Sequence, residues 1–191
     1  MTVYIVDLEA VDTRYTKEWK YNLPKQLKRA TNSDVVSISG GDTPQATTPG
    51  AFLNFGGTNV YKANQMQQIG KLFCDGKIKD GDYFLYTDAW NPTVLQLKYM
   101  AELLKVKIKI GGMWHAGAYD PADFLGRLIS HKEEWVRDTE KAMYNTFDDN
   151  FFATQFHIDG RNHNLLILAD RRFQNVHKSN SKNLQILKIY W

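Results

Sequence analysis

Residues able to do chemistry gather where the apolar runs of this chain end. The stretch KVKIKIGGMWHAGAYDPADFLGR, Lys105 to Arg127, leaves an apolar run at two glycines and then presents Trp114, His115, Tyr119 and Asp120. An imidazole in a glycine-flanked loop can take or give a proton near neutral pH. Carboxylates stand in similar places: Asp88 lies near the end of DYFLYTDAW, Asp7 near the end of TVYIVDL, and Glu9, Asp12 and Arg14 come after it. The indoles of Trp90 and Trp114 offer flat apolar faces to a sugar or a base. His157 and Asp159 follow FFATQ. Each has a plainer reading too. Asp120 before Pro121 and Asn91 before Pro92 suit helix N-caps. Gly111, Gly112 and Gly117 suit a tight turn after the strand. The two tryptophans suit packing.

Several chemistries lack their signatures. No G-x-G-x-x-G follows the first apolar run, and no Walker loop is present, which disfavours the usual dinucleotide and ATP sites. No G-x-S-x-G elbow occurs, and Cys74 has no histidine beside it. His157, Asp159 and His163 could supply metal ligands, but no second tight pair and no HExxH backs them, so no bound metal is expected.

The elements that must position these residues alternate. TVYIVDL (2–8) and SDVVSIS (33–39) read as strands. Between them NLPKQLKRA reads as a helix capped by Asn22 with Pro24 in its first turn, and Trp19, Leu23, Leu27 and Ala30 share one face at helical spacing. AFLNF (51–55) reads as a short strand. The segment 59–77 reads as a helix packing Met66, Ile69 and Phe73 and stopping at Gly76. A strand over 82–90, a helix from Asn91, and a strand in KVKIKIGGMW follow. DPADFLGRLI reads as another helix start. KEEWVRDTEKAMYNTF is amphipathic, with Val136, Glu140, Met143 and Phe147 in register, and the glutamate is the flaw in that stripe. DNFFATQF closes the series as a strand. Strand–helix alternation of this kind predicts an α/β domain with a mostly parallel sheet, Rossmann-like and three-layered, over residues 1–160. In such sheets ligands lie beyond the carboxyl ends of the strands, which is where the chemical residues fall. Residues 161–191 carry six Lys or Arg against one acid, Asp170, and read as a basic tail with one further strand at NLLILAD.

The bulk numbers agree with one such domain. The 191 residues are 43% hydrophobic with a net charge of +3, which permits a polyanionic partner without requiring one. A single cysteine forbids an internal disulfide and suits a reducing cytoplasm. No run approaches the roughly 20 apolar residues of a membrane span, and the start has no signal-peptide pattern, so a cytoplasmic protein without membrane contact is expected.

The segments DGDYFLYTDAWNPTVLQLKYMAELLKVKIKIGGMWHAGAYDPADFLGR and WVRDTEKAMYNTFDDNFFATQFHID resemble the N-terminal half of a GT-B-type glycosyltransferase of bacteriophage origin. The similarity spans residues 2–159. Such enzymes set two Rossmann-like domains across a cleft, the first holding the acceptor and the second the nucleotide-sugar. The resemblance implies a single half of that architecture, the acceptor half. It implies a general base among His115, Asp88 and Asp120, and acceptor contacts from Trp90, Trp114, Tyr119, Asp7, Arg14 and His157. A nucleotide-sugar would be a co-substrate rather than a tightly bound cofactor, no metal would be needed, and the acceptor would be a hydroxyl, in phages often that of a modified DNA base. The helix stripe Lys17, Lys20, Lys25, Lys28 and Arg29 is compatible with a duplex nearby and equally with a solvated helix face.

The chain departs from that pattern in length. No second α/β domain is read after Gly160, so the donor site is expected to be missing: the chain is a fragment, or has a truncated or shifted reading frame, or works without its partner domain, and in isolation it is expected to show weak or absent transferase activity. Two other readings stay open: a non-catalytic Rossmann-like module binding a nucleotide, nucleic acid or partner subunit, and a small α/β hydrolase in which His115 or Asp88 activates water.

Overall fold

The computed structural model describes residues 1–11, 15–43, 46–49, 51, 53–115, 117, 126–127, 134–153 and 184–186. It is an α/β protein of the Rossmann-like three-layer class, and the described strand pairs are parallel. The chain divides into two compact units: Met1–Thr87 with Thr93–Ile110, and Asp88–Pro92 with Gly111–Trp191.

In the first unit the strands run in the order β2-β1-β3. β1 (Thr2–Val6) is the centre: Val3, Tyr4, Ile5 and Val6 are all buried, as a strand covered on both faces requires. It pairs with β2 (Asp34–Ile38) through Val3↔Val35 and Val6↔Ile38, and with β3 (Tyr83–Tyr86) through Val3↔Tyr83 and Val6↔Tyr86. Tyr4 stacks on Phe84 with ring centroids 4.9 Å apart. β2 ends the row, and of its residues only Ile38 is buried. The chain goes from β1 to β2 on one side and returns to β3 on the other, so the direction of winding switches between β1 and β3. A crevice for ligand opens at such a point, outside the carboxyl ends.

The first two helices start earlier than their sequence cues indicate. α1 runs Tyr15–Thr31 with Pro24 inside it, so Asn22 is a helical residue and not a cap. The preceding residues hold the extra turns: Thr16 is buried, and Tyr15 meets Trp19 edge-on one turn later. Pro24 removes one backbone donor, a loss the packing of this helix tolerates. Of the segment read as a strand, the described residues 51 and 53–55 lie in none. Thr48 ties this loop, its amide donating to the Leu53 carbonyl and its Oγ1 accepting from Phe55 N. Asn54 then caps α2 (Phe55–Cys74), its Oδ1 accepting from Gly57 N at 2.7 Å. Gly76 ends that helix as expected, at φ +61°, with its amide bonded to the Phe73 carbonyl and that of Lys77 to Leu72. α3 (Thr93–Leu103) buries Val94, Leu97 and Ala101 and packs on α2.

The second unit holds Gly111–Trp114 of β4 (Lys109–Trp114), α4 (Glu134–Thr146), β5 (Asp149–Phe152) and β6 (Leu184–Ile186). β5 lies between β4 and β6. β6 falls in the segment read as a basic tail, later than the NLLILAD strand proposed there, which lies outside the described residues. Gly111 and Gly112 do not end the strand; they lie inside it. The reason at Gly112 is steric. A Cβ there would stand 2.6 Å from two carbons of the Phe147 ring, so hydrogen is the only side chain that lets the ring sit where it does. Gly112→Ala is expected to cost about 1–3 kcal/mol of stability, the usual range for overpacking. The cost should shrink in a Phe147→Leu background, which urea unfolding of the four proteins of that cycle would measure.

Candidate functional site

Two clusters of polar side chains sit at carboxyl ends of strands, one in each unit. In the first unit Asp7 follows β1 directly. Its amide bonds to the Ile38 carbonyl, which fixes it beside the end of β2. Its carboxylate is buried, and side chains from α1, α2 and the end of β2 converge on it. Tyr61 donates its hydroxyl to Asp7 Oδ1 at 2.5 Å. Gln65, one turn further along α2, donates its amide to Asp7 Oδ1 at 3.0 Å and to the carbonyls of Asp7 and Ile38. Lys20 of α1 places its ammonium 3.7 Å from Asp7 Oδ2 and donates to Ser39 Oγ at 2.9 Å. Ser39 Oγ and Tyr61 OH are 2.9 Å apart. Since the tyrosine proton is committed to Asp7, Ser39 is the donor there, and the protons run Lys20 to Ser39 to Tyr61 to Asp7.

Burial pushes the Asp7 carboxyl above its ordinary range, against the opposing pull of the Tyr61 hydrogen bond and the Lys20 charge. Burial, and then the bond to Asp7, push the Tyr61 phenol up as well. Gly40, next after Ser39, lies under the Tyr61 backbone, and its carbonyl accepts from Asn64 Nδ2 at 2.9 Å. Glu9 is buried nearby in the sequence. Thr87, after β3, turns back on β1, its amide and hydroxyl both donating to the Val6 carbonyl.

In the second unit the loop Asp88–Pro92 is fixed to β4. Ala89 N donates to the Met113 carbonyl at 2.8 Å. Asp88 Oδ1 accepts from Trp90 N at 3.1 Å, closing a local turn. Trp90 Nε1 donates to Glu140 Oε2 at 3.1 Å. Glu140, the flaw in the helix stripe, is thus a buried acceptor for the indole. Val136, Met143 and Phe147 beside it are buried as the stripe required. Trp114 is 1% exposed; it donates to Asn150 Oδ1 at 2.7 Å and packs against Tyr144, Phe147 and Phe152. Its faces are taken up by the core. Asn150 passes the bond on, donating to the Tyr144 carbonyl. His115 follows β4 at once and is half-buried, as are Asp88 and Trp90.

The structure therefore places Asp88, Trp90 and His115 at one end of β4, and Asp7 in a separate cluster in the first unit. Arg14, Tyr119, Asp120 and His157 lie outside the described residues. Of the basic stripe on α1, Lys20 turns inward to Asp7 and Ser39, while Lys17, Lys25, Lys28 and Arg29 are exposed. Tyr61, Gln65 and Ser39 were not legible as site residues. Their signal was Gln65, a polar residue on the buried face of α2 between Tyr61 and Ile69. Among the described residues no group of three or more His, Cys, Asp or Glu could hold a metal ion, and no helix is long and apolar enough to cross a membrane. Compared with known proteins, the chain matches no protein-family model and no curated protein.

Proposed function

We propose that this chain is the acceptor-binding half of a glycosyltransferase built from two Rossmann-like domains, with His115 or Asp88 as the base that takes the proton of the acceptor hydroxyl. One observation carries the reading. The hydrogen bond from Ala89 to the Met113 carbonyl brings the loop with Asp88 alongside the strand end with His115. A proton acceptor and a carboxylate at one strand end suit attack of a hydroxyl on an anomeric carbon while a nucleoside diphosphate leaves. The Trp90–Glu140 bond braces that loop, so the two groups are held on a rigid frame. The donor would be a nucleotide-sugar held by a second domain. The acceptor class proposed is a hydroxyl, with a hydroxymethylated DNA base as the first candidate.

The test is nucleoside-diphosphate release from UDP-glucose, with and without duplex DNA carrying hydroxymethylcytosine. Slow release that the DNA stimulates, reduced at least roughly tenfold by His115→Ala, supports the reading. Measurable release that is indifferent to the DNA and to both His115→Ala and Asp88→Asn defeats it, as does a failure of the chain to bind that DNA at all. The turn bond from Trp90 N to Asp88 Oδ1 favours a second reading, in which Asp88 is structural and the chain is a non-catalytic binding module. Under that reading both variants change affinity for the DNA and no sugar is transferred.

A further inference from the structure

The cluster around Asp7 contains two acceptors that receive no hydrogen bond. Asp7 Oδ2 and Gln65 Oε1 are buried and have no donor, although Asp7 is 5% and Gln65 1% exposed. Orphaned buried acceptors are costly and call for an explanation. The location supplies one, because Asp7 closes β1 beside the point where the winding of the strands switches. We propose that this cluster binds a hydroxyl-rich ring, a sugar or a ribose, with one ligand hydroxyl donating to Asp7 Oδ2 and accepting from Lys20 Nζ.

The chemistry of the cluster selects that class. Asp7 is a buried acid, so a phosphate or carboxylate would be repelled here. A ligand cation would compete with Lys20, already 3.7 Å from Asp7 Oδ2. That gap is too long for a direct hydrogen bond, and a hydroxyl, both donor and acceptor, can bridge it once the lysine swings outward. The Lys20 side chain is 24% exposed, so it is the part of the cover that can move. Gln65, whose amide nitrogen is 3.0 Å from Asp7 Oδ1, brings a second unpaired acceptor into the cluster, which favours a vicinal diol over a lone alcohol. Ser39, held by Lys20 and Tyr61, is a further polar contact at the rim.

This deepens the sugar-handling reading and takes its choice of probe from it, but it does not use the His115 end of β4 and is read without any transfer. The full chain would be examined by saturation-transfer NMR with D-glucose and D-ribose at millimolar concentration, and with tetrahydropyran as a ring that lacks hydroxyls. Saturation of either sugar and not of tetrahydropyran is expected. Asp7→Asn and Lys20→Met should each weaken binding roughly tenfold or more, the loss typical of one hydrogen bond to a charged group. Lys20 is partly exposed, so its variant folds even where changes at Asp7 disturb the core. No saturation of either sugar, equal saturation of tetrahydropyran, or an affinity unchanged in either variant overturns the proposal. Sugar binding retained while His115→Ala leaves diphosphate release unaltered would reject the transferase and keep this site.

Discussion

Replacing Gly40 by alanine is expected to cost about 3 kcal/mol or more, at the upper end of what overpacking does. A Cβ at this position would lie 2.3 Å from the Tyr61 carbonyl oxygen, 2.4 Å from Tyr61 Cγ and 2.7 Å from the Tyr61 carbonyl carbon. Two of those atoms are backbone in α2, and the helix cannot yield there without moving as a body. The ring cannot yield either, because its hydroxyl is fixed on Asp7. The neighbouring Gly41 is the control. It has φ +87° and nothing within 4 Å of its Cβ position, so alanine there meets only backbone strain, roughly 1–2 kcal/mol. Denaturant midpoints of the two single variants would separate the causes. A Gly40→Ala protein as stable as Gly41→Ala would mean that α2 does not lie against the end of β2 as described. Because the clash falls on Tyr61, the same substitution should also loosen the Asp7 cluster and abolish any sugar binding there.

How much of this could be read from residues alone follows from what each signal measures. Apolar periodicity reports burial, so β1, β3, β4 and β5 were found within a residue or a few of their bounds, and the stripe of α4 was found in register. Helix starts depend on a few capping contacts, and the cues are ambiguous. Pro24 fits a first turn and a tolerated interior position equally well, and only the burial of Thr16 separates the two. Gly112 was read as a turn because a glycine's sequence context does not reveal the ring that lies over it. The chemical residues divide in the same way. Those that follow strands, such as Asp7, Asp88 and His115, are legible because ligand-facing residues of a parallel sheet come just after its strands. Those that reach the site from helices are not. Lys20 looked like one cation in a solvated stripe, and Tyr61 like one more aromatic residue. The rule that flagged Glu140, a polar residue inside a buried stripe, applies equally to Gln65 and marks the face of α2 that turns toward Asp7.

Asp7→Asn is expected to fold more stably than the parent at neutral pH, and Asp7→Ala less stably. Alanine removes the acceptor of the Tyr61 hydroxyl and one acceptor of the Gln65 amide in a buried place, a loss of about 2 kcal/mol or more. Asparagine keeps an acceptor oxygen for Tyr61 and Gln65, removes the charge, and puts an amide NH2 in place of Oδ2, where the unpaired Gln65 Oε1 can accept from it. The sign follows from the protons. Burial raises the folded-state pKa of Asp7 above its ordinary value of 3.8. Between that value and the raised one, the folded chain holds a proton that the unfolded chain has released, so the contribution of Asp7 to stability falls as pH rises through this window. Above it the cost of burying the carboxylate is fully present; below pH 3.8 it is gone. The advantage of Asp7→Asn should therefore be greatest near pH 7 and shrink steadily toward pH 4, a difference that cancels the titration of every other group. Urea midpoints of both proteins across that range would show it. A constant gap, or an asparagine variant weaker at pH 7, would mean that Lys20 and Tyr61 fully offset the burial. If the gap opens as expected, the chain keeps an ionisable group at a net cost to its fold. Packing alone gives no reason to keep it, whereas a ligand hydroxyl donating to Asp7 Oδ2 would supply the hydrogen bond the folded protein lacks.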